Sequence, residues 1–431
     1  MLPRHGRLVC VSPFRAYRPQ SCGVLWARPR RTRYPTTASA TGTTERRPAR
    51  HQSARSRLAL RVVASRPRRS RLSAPDDASP VPPAPTWRTP CPCGHTEERT
   101  GTVKTYSVAI VGGSGYTGAL LAELVLRHPA LELAHITSDV HTGVPVCSVL
   151  PRVRTELPFS SHNSVAQVDA AFTCLPAQAA APIVKRLLDD GSKVVDLSPD
   201  FRLTASDYEA WYGAHPYPEM LPGVYGLTEL HRAEITGAQV VANPGCYPTA
   251  VLLALTPLRG LGLQDVVVDA KSGVSGAGKA ATERTHFCSV DSDLVAYAVG
   301  GHRHYPEMAA GLAASDDQGP SLLFLPHLAP LQRGILATIY VRTATLPTAA
   351  EVSNLLRTAY AGEPFVEVCD QPPQLKDVAG TNFCRIFSTV DERSGRIVVL
   401  SAIDNLMKGA CGQALQNLNV MLGLDEQEGL L

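Results

Sequence analysis

The sequence predicts an α/β protein, and three observations carry that reading. Apolar strands and amphipathic helices alternate from Val108 to about Val241. A glycine-rich turn joins the first strand to the first helix. After Cys246 the pattern becomes β-rich with few helices, until one long helix closes the chain. Alternation of strand and helix argues for a parallel, doubly wound sheet, and the β-rich remainder for an α+β domain.

The first strand, Val108 to Val111, runs into Gly112-Gly113-Ser114-Gly115-Tyr116-Thr117-Gly118, and apolar Leu120, Leu121, Leu124 and Val125 then repeat at helical spacing. Glycines at 112, 115 and 118 allow a tight turn and let a helix N-terminus approach a pyrophosphate. In a strand–turn–helix context this predicts a Rossmann-type dinucleotide site, with Gly112, Gly115, Tyr116, Thr117 and Gly118 as its floor. A second strand, "LELAHITSD", ends at Ser138-Asp139. An acid there commonly takes the ribose 2′-hydroxyl of NAD, whereas Ser138, His141 and Thr142 could serve a 2′-phosphate. "VDAAFTCLP" and "KVVDLSPDF" read as further strands around the helix "AAAPIVKRLLDD".

In "VVANPGCYPTAVLLAL" a strand ends, Asn243-Pro244-Gly245 turns the chain, and Cys246 stands where a helix begins. Pro248 suits a first helical turn. A helix N-terminus lowers a thiol pKa, and its free N–H groups stabilise an oxyanion. Cys246 is therefore a candidate nucleophile and is expected to be the most readily alkylated thiol of the body. Simple packing of a small residue is the competing reading. "GGHRHYPEM" supplies His302 and His304, candidates for proton transfer near neutrality. On an extended segment the two rings would point to opposite faces, so one of them is expected in the site. After "DVVVDAKSGVSGAGK", "SLLFLPHLAP", "GILATIYVRT" and "RIVVLSAID", the closing helix carries Ala410, Ala414, Leu418, Met421 and Leu422 on one stripe.

Charge divides the chain. Residues 1–102 hold 20 Arg, no Lys and five acidic residues, while the remainder is acidic by 11 charges. The first lysine is Lys104. That Arg- and Pro-rich extension lacks apolar periodicity and is expected to be disordered. It reads either as translated upstream DNA, with the start near Val103, or as a transit peptide. A functional basic arm is a third option. The acidic body gives no reason to expect nucleic acid, and no apolar run approaches the roughly 18–20 residues that span a bilayer. Four of eleven cysteines lie in the extension. "CPCGH" lacks zinc-knuckle spacing, so no metal is expected. Cytoplasm is the expected location, with a plastid as the alternative if the extension is a transit peptide.

The body resembles the N-acetyl-γ-glutamyl-phosphate reductases of arginine biosynthesis, relatives of aspartate-semialdehyde dehydrogenase. The likeness rests on "VGGSGYTGALL", "VVDLSPDFRL", "GVYGLTEL", "ANPGCYPTA", "DAKSGVSGAGK", "GHRHYPE", "PHLAPLQRGILATIYV" and "SAIDNLMKGACGQALQNLN", in order across about 108–422. It implies a dinucleotide domain over 104–245, completed by 403–431, and a catalytic and dimerisation domain of the semialdehyde dehydrogenase type over 246–402. It also implies NADPH as cofactor, an acyl phosphate substrate, a Cys246 thioester, and a homo-oligomer (dimer or tetramer). His304 is favoured over His302 as the proton carrier. Arg202 and Arg303 are implied beside anionic substrate groups, and Asn405 at the nicotinamide. Lys279 and Glu307 are weaker candidates that a surface salt bridge would explain equally well. Many family members carry Arg where this chain has Asp139, which bears on the choice of NADP. Two alternatives stand beside this reading: an aspartate-semialdehyde dehydrogenase-like enzyme and a nucleotide-bound redox sensor.

Overall fold

The computed structural model describes residues 104–313 and 319–431. The expectation for residues 1–102 lies outside them. Strand β1 (Tyr106–Val111), helix α1 (Tyr116–Val125) and strand β2 (Leu131–Ile136) form the first crossover unit. β3 (Ala170–Thr173), α2 (Ala181–Asp189) and β4 (Lys193–Asp196) continue it. β5 (Val224–Tyr225), α3 (Thr228–Gly237) and β6 (Val240–Ala242) complete a six-stranded sheet. Its order is β2-β1-β3-β4-β6-β5, and every pairing is parallel. Successive residues of β1 serve opposite faces, as strand pleating requires. Val108 and Ile110 pack with Leu121 of α1, while Ala109 and Val111 pack with Val184 and Leu187 of α2.

Helix α4 (Cys246–Leu255) leads out of β6, and Tyr247–Leu255 are buried throughout. A helix apolar on every side belongs in a core. It lies against a second, mixed sheet of order β11-β12-β13-β10-β7-β9-β8. The strands are β7 (Leu263–Gly273), β8 (Val295–Ala296), β9 (Ser321–Ala329), β10 (Ile335–Thr343), β11 (Val366–Val368), β12 (Cys384–Asp391) and β13 (Arg396–Ile403). Val266, Val268, Ile339 and Val399 face the helical layer, which includes α5 (Tyr305–Leu312) and α6 (Ala349–Ala359). The β7–β9 pairing is parallel, and the β7–β10–β13–β12 run is antiparallel.

After β13 the chain passes a π-helical turn, Met407–Cys411, into α7 (Gly412–Leu422). Ala414, Leu415 and Leu418 join Val108 and Ile110 in the first sheet's core. The expected stripe is buried there, with Ala410 and Leu422 partly so. The rest of α7 is buried too, although it carries Gln413, Gln416, Asn417 and Asn419. Amides in the interior need partners; Gln416, Asn417 and Asn419 have them, while Gln413 donates to the Thr228 hydroxyl and leaves its Oε1 without one. Asn417 donates to Gly226 O and Asn243 Oδ1 and accepts from the Thr228 hydroxyl. Gln416 accepts from Lys408 Nζ, which also donates to Glu229 Oε1 at 2.5 Å. Both side chains of that ion pair are fully buried. Burial alone pushes the Glu229 carboxyl up, but Lys408 and Gln416 bring it below its ordinary value on balance.

Breaking a buried pair from one side leaves an uncompensated charge, at a cost of about 3–5 kcal/mol. Lys408→Met should therefore lower the urea midpoint sharply, and adding Glu229→Leu should recover most of the loss. An unchanged midpoint in the single variant would mean that Glu229 is solvated after all.

Candidate active site

The β1–α1 turn closes because two of its positions have no side chain. Gly112 has φ +86°, a left-handed conformation, and a Cβ there would lie 2.6 Å from Cys174 O. A Cβ on Gly118 would lie 2.5 Å from Gly112 O. At Gly115, the N-cap of α1, an added Cβ would meet nothing nearer than 3.8 Å. The turn thus offers an open cradle over the free N–H groups of a helix start, the surface that a dinucleotide pyrophosphate needs. The residues present fit that group.

At the end of β2, Ser138 is buried and its hydroxyl lies 3.0 Å from that of Ser114. Asp139 Oδ1 accepts from the Ser161 hydroxyl at 3.0 Å and the His162 N–H at 2.9 Å. The His162 N–H leads in holding that carboxyl below its usual range. Asp139 is thus anionic at neutral pH and already engaged. Lys279, one of the weaker candidates, reaches across from the second domain to Ser114 O at 3.1 Å.

Cys246 is the first residue of α4, with Gly245 as N-cap, as the Pro-Gly turn predicts. The expected lowering of its thiol pKa is not what results. Burial pushes the thiol up to about 11; the Tyr247 N–H and Arg202 act the other way, and Glu307 adds to the rise. Desolvation outweighs the helix terminus because the dipole acts within one turn, whereas the packing around the half-buried Cys246 strips much of the hydration a thiolate needs.

His304 caps α5, and its Nε2 lies 2.6 Å from where a Gly245 Cβ would stand. Only glycine lets the imidazole close on the turn before Cys246. The two histidines do not point to opposite faces, because residues 302–304 form a turn rather than extended chain. His302 Nδ1 accepts the His304 N–H at 3.1 Å, and the ring centroids are 5.0 Å apart. Tyr247 packs edge-on against both rings. Burial, then the neighbouring cation Arg303, takes His302 down to about 4. Burial, then His302 and Arg202, takes His304 well below its usual value. Both rings are neutral at pH 7, and His304 Nδ1 has no partner.

Glu307 is not at the surface. It is buried, with Oε1 accepting from the Gly245 N–H and the Tyr225 hydroxyl, both at 2.8 Å. Its Oε2 pairs with Arg202 Nη1 at 3.3 Å. Arg202 Nη2 donates to Leu197 O, and its Nε has no partner. A cavity of about 320 Å³ brings together Gly115, Thr117, Arg202, Cys246, His304 and Asn405. Asn405 lines it, but its amide is committed to the Gly334 N–H and the Ser275 hydroxyl. His302 and Arg303 lie outside this cavity, and the Arg303 guanidinium sits 5.7 Å from the Tyr212 ring centroid. Sequence reasoning did not assign Tyr225, Asn243 or Asn417. Tyr225 stands in the matched stretch "GVYGLTEL", which is the signal that could have found it.

Residues 107–238 match the family model for the semialdehyde dehydrogenase NAD binding domain, and residues 246–405 that for the semialdehyde dehydrogenase dimerisation domain. The structure is similar to aspartate semialdehyde dehydrogenase II from Vibrio cholerae complexed with ASA, with TM-score 0.60 and 18% identity. It also resembles aspartate semialdehyde dehydrogenase with NADP from Candida albicans, with TM-score 0.55 and 15% identity. In each case the match covers 74% of this chain and 99% of that one. Fold and domain pair define an oxidoreductase of the semialdehyde dehydrogenase class.

Sequence relatives are narrower. The N-acetyl-gamma-glutamyl-phosphate reductase of Dehalococcoides mccartyi is 45% identical over 335 residues, covering 76% of this chain and 98% of that protein. Those of Desulforudis audaxviator and Geobacter sulfurreducens are 47% and 46% identical, each covering 75% of this chain and 97% of theirs. The chain belongs to the N-acetyl-gamma-glutamyl-phosphate reductase family.

Thiol reactivity follows from the desolvation of the half-buried Cys246. Cys147 and Cys288 are exposed and should alkylate before it, contrary to the sequence expectation. In ligand-free protein, iodoacetamide labelling of Cys246 should rise about tenfold per pH unit from 7 toward 10. The sign follows from the raised pKa: the thiolate is scarce until pH approaches 11. A plateau near pH 7, followed by peptide mapping, would show an activated thiolate instead.

Proposed function

We propose that this protein catalyses the NADPH-dependent reductive dephosphorylation of N-acetyl-gamma-glutamyl phosphate to N-acetyl-glutamate 5-semialdehyde, in arginine biosynthesis. The observation that carries it is the single cavity in which Cys246, His304 and Arg202 meet the Gly115–Thr117 turn. The 45–47% identity to reductases of that name supports the substrate.

Cys246 and His304 are both neutral at rest, so the thiol proton passes to the imidazole as sulfur attacks the acyl carbon. N–H groups at the start of α4 receive the developing oxyanion. Arg202 Nε, without a protein partner, is the donor left for the departing phosphate. His304 gives the proton to that phosphate and leaves a thioester on Cys246. Gly112, Gly115, Tyr116, Thr117 and Gly118 would hold the pyrophosphate of a dinucleotide cofactor, which would supply the hydride that reduces the thioester. His304 then delivers a solvent proton to sulfur as the aldehyde leaves.

Our choice of NADPH rests on the Ser114–Ser138 hydroxyl pair and on Asp139 being drawn toward Ser161 and His162. Residues 104–245 with 403–431 serve as the nucleotide domain, and 246–402 as the catalytic and dimerisation domain of a homo-oligomer. A reducing, cytoplasmic location fits the seven described cysteines, all of them free. Among the described residues no helix is long and apolar enough to cross a membrane.

Wild-type protein should reduce NADP in a phosphate-dependent assay with N-acetyl-glutamate 5-semialdehyde. Cys246→Ser should keep its affinity for NADPH and lose at least about 10³-fold in kcat. His304→Asn should lose about 10²–10⁴-fold. Wild-type turnover in Cys246→Ser would require another nucleophile. For the cofactor, Asp139→Asn should tighten NADPH about fivefold relative to NADH by removing one exposed negative charge. A wild-type Kd lower for NADH would show that Asp139 takes the ribose hydroxyls.

A further inference from the structure

The turn between β13 and α7 is not an ordinary helix start. The Gly409 N–H donates to Asp404 O at 2.9 Å and the Cys411 N–H to Leu406 O at 2.8 Å, each bond spanning five residues. Such π-turns are rare and gather at functional sites. Three successive residues of this one reach three parts of the site. A Cβ on Gly409 would lie 2.8 Å from Cys246 Cβ, so the backbone of the turn packs directly on that side chain. Ala410 O accepts from Asn243 Nδ2 at 3.2 Å, and Cys411 Sγ lies 3.2 Å from Thr117 O in the glycine turn. Asn405, Leu406, Gly409 and Ala410 all line the cavity around Cys246.

Lys408, the residue before Gly409, does not line that cavity. Its ammonium is held by Glu229, in the first turn of α3, and by Gln416 of α7. Lys408 and Glu229 are both fully buried, and Glu229 Oε2 has no partner. Neither charge has a step in the reaction described above. Stability does not explain them either, because apolar residues of similar volume often serve a core equally well. What the pair fixes is geometry. If the turn took ordinary α-helical pairing, the residues before it would rotate by about 100° relative to α7. That rotation would carry Gly409 off Cys246 and Lys408 off Glu229, leaving two buried charges unmatched. The ion pair therefore holds the turn in its wide form.

We propose that Lys408, acting through Glu229, is a positioning residue for Cys246. The pair keeps the π-turn wide and Gly409 against the thiol-bearing side chain, which holds the sulfur toward the cavity it shares with His304. The inference rests on the thioester reading above and adds what aims the thiol. A group that acts in this way leaves substrate binding alone and changes the rate of the chemical step, since small misplacements of a reacting atom are costly.

The test uses Lys408→Met/Glu229→Leu, which removes the charges and keeps most of the volume. In the phosphate-dependent assay with N-acetyl-glutamate 5-semialdehyde, kcat should fall about 10–100-fold while KM stays within about twofold. Iodoacetamide labelling of Cys246 at fixed pH should rise about threefold or more, because a loosened turn rehydrates the thiol. Buried Cys384 should stay unlabelled. Should the double variant fail to fold, Glu229→Gln keeps the shape and an acceptor for Lys408, and it should show the same split at smaller amplitude. A wild-type kcat, or unchanged labelling of Cys246, overturns the proposal. Labelling of Cys384 together with Cys246 overturns it too, since that marks a general loosening of the fold. If wild-type protein does not turn over the aldehyde, the thioester reading fails, and the labelling comparison alone decides whether Lys408 holds Cys246 in place.

Discussion

Glu307 takes the Gly245 N–H and the Tyr225 hydroxyl on one oxygen and Arg202 on the other, and does so out of contact with water. Gly245 belongs to the turn before α4, Tyr225 to β5 of the parallel sheet, and Arg202 to the segment after β4. Glu307 itself stands in the first turn of α5, three residues beyond His304. One carboxylate therefore ties the Cys246 helix, the His304 helix and the first sheet to a common point. Because it also neutralises Arg202, the cation beside Cys246 does not pull the thiol into its charged form at rest. The site therefore pairs a neutral thiol with a neutral imidazole.

A second set of buried polar contacts supports the same turn from below. Asn243 N donates to Asp196 O, Asn243 Nδ2 to Ala410 O, and Asn417 Nδ2 to Asn243 Oδ1. The Pro-Gly turn is thus clamped between β4 and the last helix. A buried amide network specifies geometry only when each member has a partner, and here the partners come from three separate parts of the chain. Helix α7 has no solvent face to give away: its apolar side serves the first core and its amide side supports the turn before Cys246.

What the sequence made legible was local. The glycine turn, the helix start at Cys246 and the strand–helix alternation depend on neighbours within a few residues, and each appears where the pattern put it. The HRH segment did not follow the alternation rule, because Pro306 and the start of α5 bend it into a turn that places both rings in one aromatic cluster. Thiol acidity was misjudged for a related reason. The helix start can be seen in the sequence, but the burial that overrides it depends on packing from distant segments. Glu307 and Asn417 gained their roles through contacts 62 and 174 positions away in the chain, and no window of sequence shows those.

The last helix also sets an order of events during synthesis. Cys411 Sγ meets Thr117 O across 294 positions, and Ala414, Leu415 and Leu418 fill the core beneath β1. Strands β1 to β6 leave the ribosome long before α7 exists, so the first sheet waits with one apolar face uncovered. Domains generally fold as units while the chain is being made, but this one is completed only by its final residues. Until then that face lies open to solvent, and a chain truncated near residue 400 would carry Cys246, His304 and Arg202 without a finished floor beneath them.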